Sequence, residues 1–118
     1  MPSFRTTVAL AANQTIANVM AGSAFEFAPS AEEVDVAITQ TALAAGFTVV
    51  ADVQFGPEIQ IESASVATEE GVNFGPKLPD NVVVSDVAAP GDRLTVRLRE
   101  TGGAAGNCTV FVRTSPLR

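Results

Sequence analysis

The sequence predicts an all-β chain: a single-domain antiparallel β-sandwich of about seven or eight strands with jelly-roll or Greek-key connectivity, spanning residues 1–118. Three observations carry that expectation. Apolar and polar residues alternate with period two in segment after segment. Clusters of Gly, Pro, Asn or Asp punctuate the chain about every eight to twelve residues. No long stretch keeps the 3.6-residue period that an amphipathic helix needs. At 118 residues the chain matches one domain, because a split would leave two cores too small to stand.

Residues 4–10 (FRTTVAL) read as a first strand, followed by a polar Ala/Asn-rich stretch to Gly22. Residues 23–28 (SAFEFA) place Phe25 and Phe27 on one face and Glu26 on the other, and Pro29 ends the segment. In residues 33–40 (EVDVAITQ) Val34, Val36 and Ile38 alternate with Asp35 and Thr39. A helical signal competes there, because Ser30 and Glu33 have the spacing of a capping box. The period-two pattern and the β-branched residues outvote one cap, so a strand is expected.

Residues 47–55 (FTVVADVQF) set Phe47, Val49, Ala51, Val53 and Phe55 against Thr48, Asp52 and Gln54. Gly56-Pro57 then turns the chain into residues 58–65 (EIQIESAS), where Ile59 and Ile61 alternate with Glu58, Gln60 and Glu62. The two segments form a hairpin candidate. Residues 68–80 (TEEGVNFGPKLPD) have no period and are longer than a usual connection, as a sheet-to-sheet crossover or a contact loop would be. Residues 81–87 (NVVVSDV) read as a short buried strand. Residues 93–100 (RLTVRLRE) turn Leu94, Val96 and Leu98 inward and Arg93, Thr95, Arg97 and Arg99 outward. With residues 107–114 (NCTVFVRT) they read as an antiparallel pair closed by a glycine-rich hairpin tip at 101–106.

Composition excludes several chemistries. The chain has no His, Trp or Tyr and a single Cys. Catalytic sets built on imidazole, zinc clusters built on cysteine and an intrachain disulfide are therefore all out. Cys108 sits at an alternating strand position and reads as a small core residue; a free thiol also suits an intracellular birthplace. The uncharged runs 6–25 and 36–51 contain Gln and Thr, and the second is shorter than the ~20 apolar residues of a spanning helix, so no membrane span is expected. The first two dozen residues imitate a signal peptide only faintly, because Asn13 and Gln14 interrupt the apolar part.

The net charge is −6, which disfavours general nucleic-acid binding. It is unevenly placed. Residues 1–91 carry eleven acids against Arg5 and Lys77, a balance of −9, whereas residues 92–118 carry two acids against five Arg, a balance of +3. The chief constellation is Arg93, Arg97 and Arg99, with Arg113 a fourth member across the ladder. Arginine favours planar contact with carboxylates and is enriched where proteins meet, so these four are the candidate subunit interface. Acids of the same chain are the other possible cover for this face, since like charges aligned on a strand repel until something acidic lies against them.

No catalytic residue and no cofactor is expected. The acid pairs Glu32-Glu33 and Glu69-Glu70 point to opposite faces of a strand or hang from a loop, unlike a glycosidase pair. A hard-cation site from Glu69, Glu70, Asn73 and Asp80 is conceivable but lacks EF-hand spacing. Gly102-Gly103 and Gly106 lack the Lys-Ser/Thr of a phosphate loop.

The segments DVAAPGDRLTVRLRETGGAAGNCTVFVRTSPL and AGSAFEFAPSAEEVDVAI resemble the small all-β virion proteins of bacterial viruses, in the capsid or capsid-cement class. The resemblance is one of texture, without a diagnostic motif, and no functional residue is carried over from it. It implies a jelly-roll or sandwich subunit in the virion, working by repetitive assembly with copies of itself and with other capsid proteins. A receptor- or carbohydrate-binding appendage is the alternative, and a small hydrolase a more distant one.

Overall fold

The computed structural model describes residues 3–23, 25–40, 47–68 and 82–116. Among them the regular elements are strands: β1 (Ser3–Leu10), β2 (Thr15–Ile16), β3 (Glu32–Gln40), β4 (Val49–Phe55), β5 (Glu58–Ser65), β6 (Ala67–Thr68), β7 (Val82–Ala88), β8 (Leu94–Glu100) and β9 (Gly106–Pro116). One sheet has the order β1-β9-β3-β7, with the two-residue β6 parallel to the end of β3. The other has the order β2-β8-β4-β5.

Apart from β6, the strands form four antiparallel couples, β1 with β9, the two-residue β2 with β8, β3 with β7 and β4 with β5. Couples one and three build one sheet, and couples two and four the other. A long antiparallel ribbon folded over on itself gives this order, which is the double-sheet jelly roll. The sequence left jelly roll and Greek key open, and the pairing selects the jelly roll.

Period two accounts for the core. Val34, Val36 and Ile38 of β3 and Cys108, Val110 and Val112 of β9 face Val49, Ala51, Val53 and Phe55 of β4 and Leu94, Val96 and Leu98 of β8, all buried in one cluster. Strand β3 takes the extended form over Glu32–Gln40, so the capping-box alternative fails. Its apolar residues at every second position bury one face of a sheet, which a helix would scatter around its axis.

Four expectations are corrected. Strands β8 and β9 are consecutive but lie in different sheets, so residues 101–106 form an arch between sheets rather than a hairpin tip. Each of the two strands is needed as an inner member of its own sheet, and a glycine-rich turn reads alike for an arch and a hairpin. Arg113 accordingly stands on the opposite sheet from Arg97 and Arg99.

Among the described residues of the 23–28 segment none lies in a strand, and the one ladder contact is a bridge from Phe27 to Arg93. The segment curls because Ser23 Oγ accepts the Phe25 N–H at 3.2 Å and Ser23 O accepts the Glu26 N–H at 3.3 Å, local bonds that compete with a ladder. Phe25 packs on Phe4, with ring centroids 5.8 Å apart, while Phe27 is 56% exposed.

Ile59 and Ile61 do not share a face. The β4–β5 register slips twice, between Ala51 and Val53 and between Val53 and Gln54. Each extra residue inverts the parity, so Ile61 opposes the buried Val53 while Ile59 opposes Gln54 and is 59% exposed. The seventh strand is only partly buried, since Ser85, Asp86 and Val87 are exposed. The long Gly/Pro-rich stretch and the cation-site candidates Glu69, Glu70, Asn73 and Asp80 lie outside the described residues.

Candidate assembly surface

The jelly roll threads the Arg-bearing end of the chain through the acidic body. Strand β8 runs between β2 and β4, and β9 between β1 and β3, so each Arg strand has an acid-bearing strand beside it. Asp52 stands directly opposite Arg97 in the β4–β8 ladder, and Asp35 directly opposite Arg113 in the β3–β9 ladder. The outer face of each sheet thus carries one cross-strand Arg-Asp pair.

Arg97 Nε donates to Asp52 Oδ2 at 2.9 Å, and Arg113 Nη2 donates to Asp35 Oδ2 at 2.8 Å. Arg93 Nε reaches Glu26 Oε2 at 2.8 Å, and Arg99 Nη2 donates to Ser63 Oγ at 3.3 Å. Three of the four arginines therefore pair within the chain. The bonds of Arg93 and Arg97 use Nε, and about half of each side chain stays in solvent. Among the described residues no second acid takes their terminal guanidinium nitrogens, which present a fork to a further carboxylate.

The acids of these pairs accept further hydrogen bonds, from backbone N–H groups at Asp52 and Glu26 and from a hydroxyl at Asp35. Asp52 Oδ1 accepts the Ser63 N–H at 2.7 Å, at a residue whose φ of 52° marks the bulge in β5. Burial pushes the Asp52 carboxyl up, but the Ser63 N–H with Arg97 and Arg99 more than reverses this and leaves it below its ordinary value. The Ser85 hydroxyl, which donates to Asp35 Oδ1 at 2.5 Å, and then Arg113 hold Asp35 low. The Gly22 N–H, bonded at 2.9 Å, and then Arg93 do the same for Glu26.

Beside the Arg97-Asp52 pair lies an open hollow of about 170 Å³, lined by Asp52, Val53, Gln54, Ile59, Glu62 and Arg97. Small-molecule sites usually enclose ~300–1,000 Å³. This hollow has the size of a side chain, with an exposed isoleucine on its wall and charge of both signs.

Among the described residues the most heavily bonded side chain was not foreseen from the sequence. Glu100, at the end of β8, is 1% exposed, and its carboxylate accepts four backbone N–H groups. Oε1 takes those of Asn13 at 3.0 Å and Gly103 at 2.8 Å, and Oε2 those of Thr48 at 3.0 Å and Gly102 at 2.7 Å. The donors at Asn13 and Thr48 lead, and together the four bring its pKa down to about 2. The group ties three connections together at one end of the sandwich. Parity carried the signal: Leu94, Val96 and Leu98 face inward, so the next residue in that series does too, and an inward acid needs partners.

Cys108 is buried, and burial pushes its thiol up to about 12, which leaves it an inert core group as the sequence implied. Among the described residues no three His, Cys, Asp or Glu gather to hold a metal, and no helix is long and apolar enough to cross a membrane. No protein-family model, curated protein or solved structure matches the chain.

Proposed function

We propose that this chain is a non-enzymatic structural protein of a bacterial virus particle, a subunit that forms or decorates the capsid through contacts with its own copies and with neighbouring capsid proteins. The observation that carries the reading is the strand order, β1-β9-β3-β7 packed on β2-β8-β4-β5 with first strand beside last, an architecture used by viral shell subunits. The composition supports it: a chain without His, Trp or Tyr lacks the usual proton shuttle and the usual sugar-stacking rings. The outer face of the β2-β8-β4-β5 sheet supports it too. Half-exposed arginines, an exposed Ile59 and a side-chain-sized hollow are what a protein partner engages.

One observation favours the alternative of a receptor- or carbohydrate-binding appendage. Phe27 stands 56% exposed at the end of the sandwich, where an aromatic ring is available to a ligand. The two readings separate in one experiment. Negative-stain electron microscopy of the concentrated protein, alone and mixed with empty phage-type capsids, is expected to show regular oligomers or copies bound at lattice positions. Dispersed single particles that leave the capsids bare, combined with retention on a glycan array that Phe27→Ala abolishes, would replace the structural reading with the appendage.

A further inference from the structure

We propose that the free edge of β1 is a pairing site for β1 of a second copy of this chain, the two strands running antiparallel about a two-fold axis so that two β1-β9-β3-β7 sheets become one. The inference rests on the self-association reading above and narrows it to one edge.

A sandwich of two sheets has four edges, and three of them are blunted. The outer edge of β8 is covered along its length by residues 14–28: β2 pairs with Leu98 and Arg99, Val19 N–H bonds Val96 O at 2.9 Å, and Leu94 N–H bonds Glu26 O at 2.6 Å. Asn18 completes the cover with its side chain, accepting the Val96 N–H at 3.1 Å and donating to Leu94 O at 3.3 Å. The β5 edge carries Glu58 and Glu62 and two register slips. The β7 edge carries Asp86 and a slip opposite Val36 and Ala37. Charges and bulges of this kind are how edges are kept from pairing.

Strand β1 has no acid, no bulge and no covering segment among the described residues, and Arg5 is its one charge. Its ladder with β9 runs unbroken from Ser3 opposite Arg113 to Leu10 opposite Gly106, with no proline, glycine or bulge. In an antiparallel pair only every second residue bonds to its neighbour, so about four N–H and four C=O groups of β1 point away from β9. Among the described residues no strand takes them. Eight residues at ~3.4 Å each make an edge of about 27 Å, long enough for a continuous ladder.

Charge selects the second copy as the occupant. An antiparallel strand is complementary to itself about a two-fold. Two chains of net charge −6 must still approach without setting acid against acid. Strand β1 has no acid, and Arg5, exposed, is its one charge. Contact through β5 or β7 would instead oppose Glu58 and Glu62, or Asp86, to their own copies.

Amide hydrogen exchange of the full chain, read residue by residue by NMR at low and high protein concentration, tests the edge. Sedimentation equilibrium on the same samples gives the assembly state. The expected result is alternating protection along residues 3–10 when the chain is dilute and protection of every amide there once it assembles. Arg5→Glu, which leaves the folded spectrum unchanged, is expected to weaken association about tenfold. Alternation that persists in the assembled sample overturns the edge proposal and leaves self-association standing. A chain that stays monomeric at every concentration overturns both.

Discussion

Asp52 lies directly across the β4–β8 ladder from Arg97, and its carboxylate divides its two oxygens between the Arg97 Nε at 2.9 Å and the Ser63 N–H at 2.7 Å. The pair is half in solvent on the arginine side, where a single ion pair contributes about 0.2–1 kcal/mol. Its use for folding is small, and the free fork of the guanidinium is the part left for a partner. Arg97→Glu combined with Arg99→Glu is therefore expected to lower the midpoint of urea unfolding only slightly. Association, followed by light scattering, should fall strongly and lose its dependence on salt. Unfolding of the isolated double variant would assign the arginines to the subunit's own stability instead.

The Glu100 carboxylate acts in the opposite regime, buried and bonded by four N–H groups. Its pKa, about 2 in the folded chain against an ordinary 4.5, means that the ionised form stabilises the fold above about pH 4.5. That stabilisation disappears as pH falls toward 2. Glu100→Gln should lower stability at pH 7, because an amide accepts at one atom only and sets a donor against the N–H groups. The gap between wild type and variant in urea unfolding should narrow below pH 4.5 and close near pH 2. A gap independent of pH would remove the charge from the account.

Glu32 runs the other way. Burial alone pushes its carboxyl above the ordinary value of 4.5, so the folded state favours the neutral form. That preference stabilises the fold at low pH and is lost as pH rises through the raised value. Glu32→Gln is expected to raise the unfolding midpoint at pH 7 and to leave it unchanged below about pH 4. A loss of stability at pH 7 would show that the charge is compensated.

Gly106 faces the ring of Phe47, and a methyl group added there would stand 2.7 Å from the nearest ring carbon. Phe47 is buried in the core and has little room to retreat. Gly106→Ala should cost about 1–3 kcal/mol by overpacking. Gly91→Ala serves as the control: its φ of 82° brings backbone strain, but nothing lies within 4 Å of the added carbon. Gly106 has no left-handed φ, so the two losses have different causes, and an unchanged stability in Gly106→Ala would remove the Phe47 contact as a cost.

The strands with strict alternation were legible in the sequence. Residues 33–40, 47–55 and 93–100 each placed their apolar members correctly because period two is a local property of the backbone. Ile59 was misplaced because a bulge inverts parity without leaving a residue signature, and Phe27 because side-chain bonds from Ser23 pre-empted a ladder. The separation of β8 from β9 is a property of the whole pairing scheme, and no turn residue encodes it. Of the four candidate arginines, the outward direction of Arg97 and Arg99 was legible in their alternation with Leu94, Val96 and Leu98, but their partners were not. Opposing Asp52 to Arg97 requires knowing that β4 is the neighbour. Glu100 could have been found: it continues an inward series, and Thr-Gly-Gly after it supplies free N–H groups.

Whether the subunit self-associates through its arginine face is read by sedimentation velocity of the purified chain across a wide range of protein and salt concentrations. The expected result is a discrete species larger than the 12.2 kDa monomer that grows with protein concentration and recedes as salt screens the arginine contacts. A single 12.2 kDa species under every condition would contradict it.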